Sequence, residues 1–125
     1  MIKLGRLLKS FKYASKGIAY AFKEEQNIKI HFLMAVGAIL LAVYFRVSLL
    51  EGVALVIVIT LVLVAEMINT VLERIVDIIK PRMHPYAKSI KDMQAGVVLL
   101  AAVAAVAVGL IIFVPRIWQL FFKSI

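Results

Sequence analysis

Along the chain the hydrophobic positions change period twice. Between residues 3 and 22, Leu4, Leu7, Leu8, Phe11, Ala14, Ile18 and Phe22 recur at steps of three and four, while Lys3, Arg6, Lys9, Lys12 and Lys16 fill much of the other face. That pattern predicts an amphipathic helix over 3–22 that lies in a membrane interface instead of crossing it. Downstream the alternation gives way to long apolar runs. The first, over 30–50, is apolar apart from His31, Arg46 and Ser48. About 20 residues at ~1.5 Å each cross a hydrocarbon core of ~30 Å, so this run predicts a first span. A turn around 49–52 is expected next, short enough to force an antiparallel hairpin. The second span is expected over 52–72, in a helix that continues to about 79 and is stopped by Pro81. The third span is expected over 95–114, ending at Pro115, with Arg116 and Trp118 as interface anchors. Its many Ala and Gly residues suit close helix packing in lipid.

Composition sharpens this into an all-α integral membrane protein of one domain, 1–125. The chain is 64% hydrophobic, with a mean hydropathy of +1.02, which excludes an ordinary soluble domain. It has no cysteine, so disulfides and thiol chemistry are excluded. The net charge of +8 invites a nucleic-acid reading, but the positions of the charges argue against it. Seven of the fifteen Lys and Arg lie in residues 1–29, and five more lie from Arg74 to Lys91. Basic residues flanking apolar spans face the cytoplasm and anionic head groups. The expected topology is a cytoplasmic N-terminus, three spans and an external C-terminus.

One stripe does not fit a mere anchor. Glu66, Asn69, Glu73 and Asp77 fall at roughly 0°, 300°, 340° and 20° around a helix, on one face of the second apolar stretch. Each carboxylate toward the bilayer interior costs on the order of 2.5–3.5 kcal/mol, so an intramembrane acid is a functional candidate. The stripe lies toward the cytoplasmic face, at the level of Glu24, Glu25, Lys91 and Asp92, where a lipid head group meets a soluble cosubstrate. Carboxylates without thiols fit hard cations and phosphate: Mg²⁺ takes one or two carboxylates and fills its shell with water and phosphate oxygens. Phosphoryl transfer also needs a group to take the acceptor's proton, and a desolvated carboxylate suits that task. Glu66, the deepest acid, is the candidate. Among the six glycines there is no dinucleotide, Walker or kinase glycine loop, so a soluble-kinase fold is excluded.

The run Glu66-Met-Ile-Asn69-Thr-Val-Leu-Glu73-Arg-Ile-Val-Asp77, followed by His84-Pro-Tyr-Ala-Lys88-Ser-Ile-Lys91-Asp92, resembles the signature of the prokaryotic diacylglycerol kinase family. The resemblance covers nearly the whole chain, including Lys16-Gly17 and Glu25. It implies a homotrimer of small lipid kinases, each with a surface helix and three spans, with active sites shared between subunits and ATP used with Mg²⁺. Carried onto this sequence, it implies Glu66 as general base and Asn69 orienting the acceptor or Glu66. Glu25 and Glu73 would hold the metal. Arg6, Tyr13, Lys16, Asp77, His84, Lys91 and Asp92 would lie near ATP. The Asn27-x-x-x-His31 pattern and the His84-Pro85 pair are more similar to the Gram-positive branch, whose members are similar to undecaprenol kinases. Undecaprenol is therefore the expected substrate, with diacylglycerol as the alternative.

Two other classes of function compete for the same residues. A small oligomeric transporter would use the stripe as a cation or proton relay, and would show flux without ATP hydrolysis. An anchor protein would use Glu66, Asn69 and Glu73 as glue between helices, although two acids on one face repel.

Overall fold

The structure, a computed structural model, describes residues 3–79 and 85–123. Four helices follow one another: α1 (Leu4–Glu24), α2 (Gln26–Tyr44), α3 (Leu49–Ile79) and α4 (Pro85–Phe122). The last three are each long and apolar enough to cross a membrane. Helix α3 packs on both α2 and α4, and its contact with α4 is the more extensive.

Each junction has a local cause. Helices α1 and α2 are separated by a single extended residue, Glu25, at φ −103° and ψ 118°. Its N–H still closes the last turn of α1 on the Ala21 carbonyl at 3.0 Å, and its own carbonyl accepts from Lys29 at 3.5 Å to open α2. The Lys29 ammonium adds a 2.9 Å bond to the Lys23 carbonyl, which satisfies an orphan acceptor at the end of α1.

The turn expected at 49–52 lies instead at residues 45–48. Helix α2 ends in paired bonds, Val47 N–H to Ala42 C=O at 3.1 Å and Arg46 N–H to Val43 C=O at 3.2 Å. This is the Schellman arrangement, and it needs a left-handed residue, here Arg46 at φ 49°. Helix α3 then starts at once on a capping box. The Ser48 hydroxyl accepts from Glu51 N–H at 3.3 Å, and a Glu51 carboxylate oxygen accepts from Ser48 N–H at 2.7 Å.

Helix α4 also differs from expectation at both ends. It begins at Pro85, well before residue 95, because proline's fixed φ and missing N–H suit the first helical position. It also runs through Pro115 instead of stopping there. Proline removes one backbone donor, the one that would meet the Ile111 carbonyl four residues back. Here the Arg116 guanidinium donates to the Ile112 carbonyl at 2.6 Å and to both Glu51 oxygens at 3.0 and 2.7 Å. The disturbed turn is thereby tied to the first turn of α3.

Two apolar clusters run along α3. Near its start, Leu55, Ile112 and Phe113 are buried against Ala38, Ala42, Phe45, Val47 and Val108, joining α2, α3 and α4. Further along, Val62, Ala65 and Ala101 pack with Val98 and Ala105. Small side chains on α4 let its backbone approach α3 closely, which is how packing energy is gained in lipid.

Candidate active site

Residues 62, 66 and 70 of α3 follow one another at single-turn steps, so burying Val62 carries Glu66 and Thr70 inward with it. Glu66 is 4% exposed and Thr70 7%, and these are the buried polar residues among those described. Thr70 spends its hydroxyl on the Glu66 carbonyl at 3.1 Å, a bond within the helix. The Glu66 carboxylate instead reaches across to α2, with Oε1 3.2 Å from Nε2 of His31.

His31 arrives there by the same logic. Ile28 and Ala35 are buried on α2, and position 31 shares their stripe at three- and four-residue steps. Phe32, next to it, packs edge-on against Phe22 of α1 with ring centroids 5.0 Å apart. His31 also lines an apolar cleft of about 160 Å³ between α2, α3 and α4, which runs past Ala35, Val62 and Ala105 to Leu55 and Phe113. Glu66 therefore meets His31 at one end of an apolar trough.

One turn further along α3, the surroundings become wet. Asn69 is half-buried and Glu73 exposed, and the Asn69 amide donates to Glu73 Oε1 at 3.3 Å. The amide oxygen of Asn69 is buried and has no hydrogen-bond partner among the described residues. Beside Glu73, Arg74 donates to the Tyr20 hydroxyl at 2.8 Å and to Glu25 at 3.2 Å, with its guanidinium 4.9 Å from the Tyr20 ring centroid. The end of α1 and the α1–α2 break are thus pinned to α3. Asp77 accepts from the Lys91 ammonium at 2.6 Å, which closes the ends of α3 and α4 onto each other.

The structure brings the site residues expected from sequence together only in part. Glu66, Asn69, Glu73 and Asp77 form the one-sided stripe, and Lys91 joins it through Asp77. Glu25 reaches α3 through Arg74, whereas Glu73 is bonded to Asn69. Asp92 is exposed in the first part of α4. Arg6, Tyr13 and Lys16 are exposed on α1, N-terminal to its Tyr20 and Glu25 ties to α3. His84 lies outside the described residues. Among the described residues no three His, Cys, Asp or Glu side chains gather into a metal-holding group.

The donors present nonetheless suit an ion that is also held by phosphate. Glu73 and Glu25 offer hard carboxylate oxygens, and the unpartnered Asn69 oxygen is a further neutral one. Mg²⁺ needs no more than one or two protein carboxylates when phosphates complete its shell.

Two residues in contact with the site were not assigned to it from sequence: His31, read there only as a branch marker, and Arg74. The signal for His31 was present, a polar residue on the inward stripe of a span. Arg74 had none, because its partners are 49 and 54 residues away.

The family model described as prokaryotic diacylglycerol kinase matches residues 12–113. The chain belongs to the prokaryotic diacylglycerol kinase family. Its relatives carry two substrate names. A diacylglycerol kinase of Synechocystis sp. is 39% identical over 115 residues, covering 91% of this chain and 66% of that protein. An undecaprenol kinase of Bacillus subtilis is 33% identical over 115 residues, covering 92% of this chain and 94% of that protein. A diacylglycerol kinase of Escherichia coli is 29% identical over 101 residues, covering 81% and 83%. The match to this lipid-kinase family spans the whole of α2 and α3, and with them the acidic stripe and its His31 contact.

Proposed function

We propose that this protein transfers the γ-phosphoryl group of ATP to the hydroxyl of a membrane lipid, with undecaprenol as the substrate and undecaprenyl phosphate as the product. The observation that carries the reading is Glu66: a carboxylate 4% exposed, beside an apolar trough and one turn from a hydrophilic cluster. A lipid alcohol has the same division, a hydrocarbon tail with one polar end. With the tail along the trough, the hydroxyl meets Glu66. The trough's lining is apolar apart from His31, which suits a hydrocarbon prenyl chain better than the ester groups of diacylglycerol. The reading in favour of diacylglycerol rests on the Synechocystis and Escherichia coli relatives, which bear that name.

In this reading Glu66 accepts the hydroxyl proton as the lipid oxygen attacks phosphorus, and Asn69 helps hold the acceptor in line. Positioning and charge stabilisation do most of the work of phosphoryl transfer. Glu25 and Glu73 would hold Mg²⁺, which supplies charge neutralisation on the phosphates when bound. Lys91, Arg6, Tyr13, Lys16, Asp77, Asp92 and His84 are assigned to the nucleotide side. Arg6, Tyr13 and Lys16 are exposed along α1, N-terminal to its ties to α3, which supports a homotrimer in which α1 completes the site of a neighbouring subunit. The positive N-terminal segment and the Arg74–Lys91 stretch support a cytoplasmic site in a bacterial membrane, with the C-terminus external.

The test supplies labelled ATP to the purified protein in vesicles containing both undecaprenol and diacylglycerol, and identifies the labelled lipid. Label in undecaprenyl phosphate, lost in E66Q with ATP binding retained, is the expected result. Label in phosphatidic acid alone overturns the substrate assignment, and full activity in E66Q overturns the base assignment. Cation flux without any labelled lipid would return the protein to the transporter class.

A further inference from the structure

We infer that His31 is a positioning residue for Glu66: its imidazole fixes one oxygen of the carboxylate and leaves the other for the lipid hydroxyl. This rests on the reading of Glu66 as proton acceptor. Among the described residues, His31 is the hydrogen-bond partner of the Glu66 side chain, through Nε2 to Oε1 at 3.2 Å. The rest of the Glu66 surroundings gives its carboxylate no hydrogen bond among the described residues. Thr70 binds the backbone carbonyl of Glu66, and Val62 and Ala65 beside it are apolar.

A glutamate turns about three side-chain bonds, so a base held at one end only is poorly aimed. Transfer to phosphorus demands an aimed base, and a misplacement of ~1 Å costs about 100-fold in rate. His31 is itself held on two sides. Ile28 and Ala35 bury the stripe it belongs to, and Phe32 is locked against Phe22. It is also the less buried partner, with side-chain exposure of 23% against 5% for Glu66, and it lines the trough assigned to the lipid tail. An imidazole in that place meets the first carbons of the tail with its ring while its nitrogen steers the acid.

The bond changes follow. As the lipid oxygen bonds to phosphorus, its O–H bond breaks and the proton passes to the free Glu66 oxygen. The bond from phosphorus to the bridging oxygen of ATP breaks, and ADP leaves with that electron pair. His31 donates throughout to the other Glu66 oxygen and exchanges no proton with substrate.

Two variants of similar bulk separate aim from packing. H31Q keeps an N–H donor and H31M does not. Full-length protein reconstituted with undecaprenol and labelled ATP is assayed for kcat and for both KM values, with E66Q run alongside. The expected result is a kcat about 10- to 100-fold below wild type in H31M, with both KM values within about twofold, and at least about tenfold recovery of kcat in H31Q. Equal kcat in H31Q and H31M overturns the inference, as does a loss that appears only in KM. If E66Q keeps its activity, the base assignment fails whatever the His31 variants do. If E66Q is inactive while H31M turns over at the wild-type rate, that assignment stands and the role of His31 falls.

Discussion

Truncating Leu55 to alanine separates the packing of the bundle from its chemistry. Leu55 is 4% exposed and joins all three long helices through Ile112, Phe113, Ala38 and Ala42. In water such a truncation loses both transfer energy and packing. In a bilayer the transfer part nearly vanishes, because lipid tails are as apolar as leucine. What remains is the void: three carbons vacate about 80 Å³, and at about 24 cal/mol per Å³ the cost is about 2 kcal/mol. For a chain of this size that is a fall in Tm of about 6–12 °C. Leu55 and Glu66 are eleven residues apart, about 16 Å along α3, so kcat at saturating lipid should stay within about twofold of wild type per folded molecule. The KM for lipid should rise, because Leu55 lines the far end of the trough. The assay pairs thermal unfolding in detergent, followed by circular dichroism, with initial rates on the surviving fraction. A Tm within about 1 °C of wild type would refute the packing argument. An unchanged Tm with lost turnover would refute the separation of core from site.

Other perturbations test the remaining ties. R74A frees both Tyr20 and Glu25, so α1 should become the first segment cut in limited proteolysis; R74K should restore little, since one ammonium cannot reproduce the two-pronged contact. Reversing the sign of Glu51 alone (E51R) should lower Tm, and the double exchange E51R/R116E should recover part of the loss, measured by the same melting assay; equal Tm in single and double variants would show that the pair does nothing. R46G relieves an L-residue at φ 49° and should raise Tm by a few degrees, because glycine occupies that region without the ~1 kcal/mol steric cost. K91A unties Asp77 and should raise the KM for ATP more than it changes the KM for lipid in steady-state kinetics.

The helices and the acidic stripe were legible because each depends on neighbours in sequence. Long apolar runs report spans, and three- and four-residue steps place Glu66, Asn69, Glu73 and Asp77 together. The turn lies a few residues before its expected place for a readable reason: Ser48-Leu-Leu-Glu51 is itself a capping box that marks the start of α3. Pro115 misled because a proline was read as a stop, whereas α4 passes through it and the Arg116–Glu51 pair, 65 positions apart, ties that stretch to α3. The His31–Glu66 and Arg74–Glu25 contacts were out of reach. They join residues 35 and 49 positions apart, and only the packing of α3 against its neighbours decides which polar groups meet.

The single-residue break at Glu25 has a mechanical consequence. Helix α1 is 21 residues long, about 31 Å, and its bonds to α3 gather at the Tyr20–Glu25 end. A tilt of roughly 10° about that point would sweep the Leu4 end through about 5 Å, one helical pitch. The lysines of α1 would then move as a rigid oar, and letting go of one guanidinium would set the stroke.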